Sequence, residues 1–279
     1  MGRDYSIGFE MVVQDLQRLS AELAQIASSR IRAISTGLDR SIVETGHADL
    51  QGRHIISGVD IATGETQQLG RQAVLSMPMV DGEGHVVGVQ YPREPKEIVR
   101  MARWAAVDDR TSDRTFYLLK PQLAEGAYGP KVTFDDARPA PWTDPLYIQA
   151  HGSGTLFNVL AGSGNSAEFA WRMLRLDHVN FARLLGGDQV FRDAARTARS
   201  DDVVLLTCAT AAGPAARTIA DHLHNKTGID MTVHGFTGKT LDGMRDDGSV
   251  SFSQFGVYET FDSAGDPIDP VRSYPRHAG

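Results

Sequence analysis

The chain has one cysteine, and it stands at the end of an apolar run, "VVLLTCAT" over residues 203–210. A thiol packed in a core is common and inert. A thiol where a buried strand surfaces into a turn is placed to act as a nucleophile. His151 follows the same pattern, ending the apolar segment "PLYIQA" and opening "HGSG". An imidazole beside a thiol can accept its proton, since a free cysteine ionises only near pH ~8.5. Acyl transfer also needs donors aimed at the developing oxyanion. Gly152 has no side chain to hold a substrate carbonyl away from its N–H, and the Cys208 N–H can be a second donor. The small residues from Ala209 to Gly213 leave room for a substrate backbone. A nucleophile, a base and an anion site are therefore all present, provided that two segments 57 residues apart end side by side.

The surrounding pattern determines whether they can. Short strands joined by turns are expected from Gln51 to Pro92, with hairpins closed near Thr63–Gly64 and at Asp81–Gly84. "PKEIVRMARWAAV" (Pro95–Val107) opens on proline and places Ile98, Met101, Ala102 and Ala105 on one side, which predicts a helix. "FYLLK" (Phe116–Lys120) reads as a strand, and the Gly- and Pro-rich stretch after Gly126 as a long irregular connection. In the second half, strands are expected at Pro145–Ala150, Thr155–Leu160, Asp202–Thr207 and Ile229–Phe236, with one or two more in Ser249–Phe261. A mainly helical segment is expected over Glu168–Ala198, broken at Gly186–Gly187. A second helix is expected in "GPAARTIADHLHNKTG", with Pro214 in its first turn and Gly228 past its end. Strands alternating with helices of this length predict an open α/β sheet that is mostly parallel. In such sheets reactive groups collect beyond the carboxyl ends of the central strands.

Two strand ends presenting His-Gly and then Cys, with a helix after the cysteine, resemble the caspase-like cysteine peptidases. That group includes caspases, legumains, gingipains, clostripains and self-cleaving toxin peptidases. "YIQAHGSGTLFNV" and "VVLLTCATAAGPAARTIADHLHNKTGI" look most like the "lonely Cys" domains of very large actinobacterial proteins. The hairpin directly after His-Gly is similar to that of the toxin peptidases. The resemblance spans Pro145 to Thr240 and extends to Ser249–Phe261. It implies a caspase-like three-layer α/β/α sandwich over residues 111–279; residues 1–110, which it does not cover, read from their own pattern as a helical and β-hairpin extension. It further implies a general base at His151, a nucleophile at Cys208, and oxyanion donors on the backbone of Gly152 and Cys208. The implied activity is hydrolysis of a peptide bond through an acyl-enzyme, and the expected substrate is a protein, with the chain itself as one candidate. Exposed loops near Gly126–Asp144 and Arg245–Gly248 are candidate cut sites. Thr207 stands where caspases tend to have a small residue. "VHGFTGKT" lies where the family shapes its specificity pocket, but it declares no preference. No basic cluster suggests the inositol phosphate that switches on some of these toxin peptidases.

Composition narrows the alternatives. The chain has 279 residues, 30.3 kDa, a net charge of −7 and no basic block, which argues against a broad nucleic-acid surface. No apolar stretch approaches the roughly 20 residues needed to span a bilayer. The start, "MGRDYSIGFEMVV", lacks the features of an export signal, so a cytoplasmic location is expected. One cysteine excludes an internal disulfide and a Cys-rich zinc site, and neither a cofactor nor a metal is expected. Phe9–Ile34 reads as an amphipathic helix packed on the main domain.

The remaining candidate groups read as structural. His234–Gly235 lies within a strand, and His222 and His224 point to different faces of a helix. His178 and Asp177 sit at a polar helix start. "GSGNS" (Gly162–Ser166) lacks the phosphate-loop pattern and is a turn with Ser166 as cap. The paired acids Asp108, Asp109, Asp135 and Asp136 belong to solvated loops. Two other functions use the same residues: an inactive interaction module with His151 and Cys208 too far apart, and a deamidase or transpeptidase with the same dyad.

Overall fold

The computed structural model describes residues 55–106, 115–121, 132–163, 170–242 and 255–276. The expected helix at Phe9–Ile34, the candidate cut loop at Arg245–Gly248 and residues 126–131 of the other lie outside them. His54–Ser163 and Ala170–Gly279 form one compact unit.

The fold is mixed α/β, with one large sheet and few helices. Its four central strands are β4 (Val86–Tyr91), β7 (Leu146–Gly152), β10 (Asp202–Leu206) and β11 (Thr232–Phe236), and the three pairings among them are parallel. Every other pairing of that sheet is antiparallel. β3 (Met77–Val80) joins β4 as a hairpin, and β14 (Val271–Tyr274) closes the β11 edge. On the far side of β7 follow β8 (Leu156–Ser163), β9 (Ala170–Asp177), β1 (Ile55–Asp60) and β2 (Thr66–Gly70). A mostly parallel sheet thus describes the centre and not the whole, because antiparallel strands extend both flanks. The first hairpin turns at Gly64 (φ 75°) and the second at Gly84 (φ 89°), conformations that glycine adopts without strain.

Two sequence expectations change. "VTFDDARP" forms β6 (Val132–Pro139), antiparallel to β5 (Thr115–Pro121), where an irregular connection was expected. Residues 170–177 form β9 where helix was expected. "AWRMLRLD" alternates Met173 and Arg175 against buried Leu174 and Leu176, a two-residue period that fits a strand.

The central strands are apolar on both faces because both are covered. Leu146, Ile148 and Ala150 of β7, with Val203 and Leu205 of β10, pack in one core. That core lies against α2 (His178–Gly187), α3 (Gln189–Thr197) and α4 (Ala215–His222). Tyr147, Val204, Leu206 and Phe236 face the other way, against α1 (Pro95–Ala106) and a four-stranded sheet. That smaller sheet runs β12 (Thr240–Asp242), β13 (Phe255–Tyr258), β5, β6.

The helices start and stop by local chemistry. Asp177 caps α2 by accepting the Asn180 N–H, and Asp188 caps α3 by accepting that of Phe191. The buried Tyr91 hydroxyl donates to the same Asp188 carboxylate at 2.9 Å, fixing the α2–α3 break expected at Gly186–Gly187 against β4. After α4 a π-helical turn (Leu223–Thr227) ends on Gly228, which has φ 71°. No helix among the described residues is long and apolar enough to cross a membrane.

Phe181 of α2 is fully buried, stacked on Phe157 with centroids 3.9 Å apart and edge-on to Tyr91 at 5.2 Å. Its replacement by alanine removes that packing and leaves a cavity. The expected loss is ~3–5 kcal/mol of unfolding free energy, read from urea denaturation.

Candidate active site

The β7–β10 register sets the site. Leu206 pairs with Gln149, so both strands end at the same level, and His151 and Cys208 each lie two residues beyond that pair. Both side chains line a cavity of about 50 Å³, together with Gln149, Arg100, Thr240 and Phe255. The structure thus brings together the two residues that the sequence singled out. Cys208 is half-buried. Its sulfur lies 3.8 Å from the Thr240 carbonyl oxygen and 3.7 Å from the Thr240 hydroxyl.

The turn that carries the cysteine is pinned on several sides. Ala209 has φ 53°, a left-handed conformation that a residue with a Cβ adopts at some cost. It is held there by Ala209 N–H donating to Gly238 O (2.8 Å) and Ala212 N–H donating to Ala209 O (3.0 Å). Further along, Ala211 N–H donates to Phe236 O, and Ala215 N–H donates to Gly154 O, tying the cysteine turn to the loop after His151. The backbones of Gly154 and Gly213 touch: a Cβ on Gly154 would lie 2.7 Å from Gly213 N.

Gly152 has a steric reason for its identity. A Cβ there would sit 2.4 Å from Leu156 O and 3.0 Å from the Thr207 methyl. Its N–H direction follows from the alternation of an antiparallel ladder. Ser153 N–H donates to Leu156 O, so the preceding pair, Gly152 with Phe157, is the non-hydrogen-bonded one. Its N–H therefore points away from β8, to the flank where β10 and Cys208 lie. The Cys208 N–H donates to no described residue.

Sequence reasoning missed the third member of the cluster. Glu97, in the first turn of α1, places Oε1 2.7 Å from His151 Nε2. The imidazole N–H is not aimed along that line, so this is a close polar contact rather than a linear hydrogen bond. The same carboxylate accepts the Arg93 backbone N–H at 2.7 Å and lies 3.3 Å from Arg93 Nε. Burial works to raise the pKa of Glu97, whose side chain is only 4% exposed. The His151 contact, the Arg93 N–H and the Arg93 guanidinium outweigh it and hold the carboxyl at about 2. With Nε2 turned to Glu97, Nδ1 is the nitrogen left for a thiol or substrate. The signal in the sequence was Glu97 itself, an acid sharing a helix face with Met101 and Trp104 at steps of four and three.

Other candidate groups find structural partners. His234 is buried in β11, with Nε2 2.9 Å from Asp202 Oδ1 and Nδ1 2.8 Å from Ser273 Oγ. Burial lowers its pKa against the opposing pull of Asp202. His224 Nε2 lies 2.7 Å from Met231 O, and Asp177 caps a helix. Asp81, Glu83 and His85 converge in the β3–β4 turn. The Arg199 guanidinium already lies 2.9 Å from His85 Nδ1 and 3.5 Å from Glu83 there, a poor setting for a metal ion. Residues 164–166 of the Gly162–Ser166 stretch lie outside the described residues, as do Asp108 and Asp109.

The depressed Glu97 pKa links stability to pH. Its carboxyl ionises near 4.5 when unfolded and about 2 when folded. The stabilisation is therefore fully present above pH 4.5 and is lost as pH falls toward 2. Between pH 6 and pH 3, urea midpoints of the Glu97→Gln variant are expected to fall less than those of the parent. Comparison with known proteins adds no relative: no family model matches the chain, and neither a curated protein nor a solved structure matches it.

Proposed function

We propose that the chain is a caspase-like cysteine endopeptidase acting on polypeptide substrates. The observation that carries this reading is the single cavity shared by His151 and Cys208 at the ends of two parallel, in-register strands. The four parallel central strands, covered on both faces, support the caspase-like form of the fold. Neither a metal nor a cofactor is needed for the steps below.

His151 Nδ1 takes the Cys208 proton, and the thiolate attacks the scissile carbonyl carbon. A C–S bond forms, and the carbonyl π pair moves onto oxygen. The N–H groups of Gly152 and Cys208 serve as donors to that oxyanion. Collapse breaks the C–N bond, and the imidazolium returns its proton to the leaving amine. Water, deprotonated by His151, then cleaves the thioester to a carboxylic acid and the free thiol. Glu97 acts on both half-reactions as a positioning residue. Its carboxylate orients the ring through Nε2 and stabilises the imidazolium, as the acid of a Ser-His-Asp triad does.

The other readings are separable. A deamidase or transpeptidase would use the same residues but yield no pair of hydrolysed fragments. An interaction module is favoured only by the thiol's contact with Thr240 in place of the imidazole. Cys208→Ala is expected to abolish cleavage while leaving the urea midpoint unchanged, with fragments read by mass spectrometry. His151→Ala is expected to lower the rate by about 10²–10⁴-fold and to slow alkylation of Cys208 by iodoacetamide at pH 7. Cleavage by the Cys208→Ala chain at the parental rate would refute the assignment.

A further inference from the structure

The floor of the cavity holds a buried group that no described residue satisfies. Gln149 is 4% exposed, yet its Oε1 has no hydrogen-bond partner among the described residues. An acceptor left this way costs about 1–3 kcal/mol, so an orphan on a cavity wall is a natural contact for a ligand that donates. Gln149 lies two residues before His151 on β7, so both side chains stand on the same face of the strand. Its neighbour across β4, Gln90, gives its own Nε2 to Ile98 O at 3.4 Å and offers Gln149 no bond. Leu206, Leu241 and Phe255 make the remaining wall apolar, and Arg100 adds a cationic side chain.

We infer that this cavity receives the side chain of the residue before the scissile bond, and that Gln149 selects asparagine there. The inference rests on the peptidase reading above and names its substrate class. Size supports the choice. The cavity is small, about 50 Å³, and favours a short side chain such as asparagine over lysine or arginine. Chemistry supports it as well. Two carboxamides pair reciprocally, each giving an N–H and accepting one, whichever way the Gln149 amide is turned. Leucine would leave the orphan acceptor buried. Aspartate has the right shape and gains from Arg100, but it brings no N–H and ranks second.

The test uses the full chain and matched peptides that differ only before the cut: Asn, Gln, Asp, Leu and Arg. The expected kcat/KM for Asn exceeds each other residue by about 10-fold or more. Gln149→Leu is expected to erase that preference, while iodomethane, which carries no carboxamide for Gln149 to read, still alkylates an intact thiol. Preference for any other residue, or an Asn preference that survives Gln149→Leu, overturns the inference. Preference for Asp would transfer the selecting role to Arg100. Rapid alkylation of Cys208 with no cleavage after Asn overturns this inference alone. Slow alkylation with no cleavage of any peptide overturns the peptidase reading with it.

Discussion

The parallel, in-register pairing of β7 with β10 is the constraint on which the rest depends. Backbone hydrogen bonds between parallel strands fix the relative height of the two chains residue by residue. With Leu206 opposite Gln149, the strand ends are level. A shift of two residues would keep every side chain on its face and still carry sulfur and imidazole some 7 Å apart along the strand. The apolar residues on both faces hold that register. Ile148 and Leu205 are neighbours in one core, and Tyr147 and Val204 in the other. Packing on either side therefore keeps the pairing from slipping.

The second dependence runs through α1. A carboxylate as buried as that of Glu97 stays ionised only with close partners, and His151 is one of them. The contact is mutual. Glu97 fixes which end of the imidazole faces inward, and the imidazole helps keep Glu97 charged. The helix that provides this carboxylate also covers one face of the sheet through Met101 and Trp104. A segment that resembles an appendage in the sequence is thus part of the core and part of the site. A domain boundary drawn at residue 110 would have separated the base from its partner.

Much of the fold was legible because the signals were local. Buried apolar runs marked the central strands, Asp81–Gly84 marked a hairpin, Pro95 marked a helix start, and Gly228 marked a helix end. The site residues His151 and Cys208 were legible because reactive side chains at the ends of such runs need only a neighbour pairing to meet. Features set by tertiary partners were not legible. β9 alternates in hydrophobicity, but its Leu, Met and Arg content favours helix when no neighbouring strand is known. β6 reads as loop because its acids and closing proline suit a strand only beside β5. Glu97 was hidden because an acid in the first turn of a helix is ordinary on dipole grounds, and only the covering sheet makes it buried.

The contact of Gly154 with Gly213 bears on how this architecture could change. One glycine belongs to the loop leaving β7 and the other to the loop leading into α4, and their main chains meet with no side chain between them. The stretches bearing imidazole and sulfur are thus riveted to each other by peptide atoms alone. Residues around the opening can be exchanged, and its chemistry retuned, without disturbing that joint. Enlarging either glycine would lever the two halves of the site apart, whatever amino acids line it.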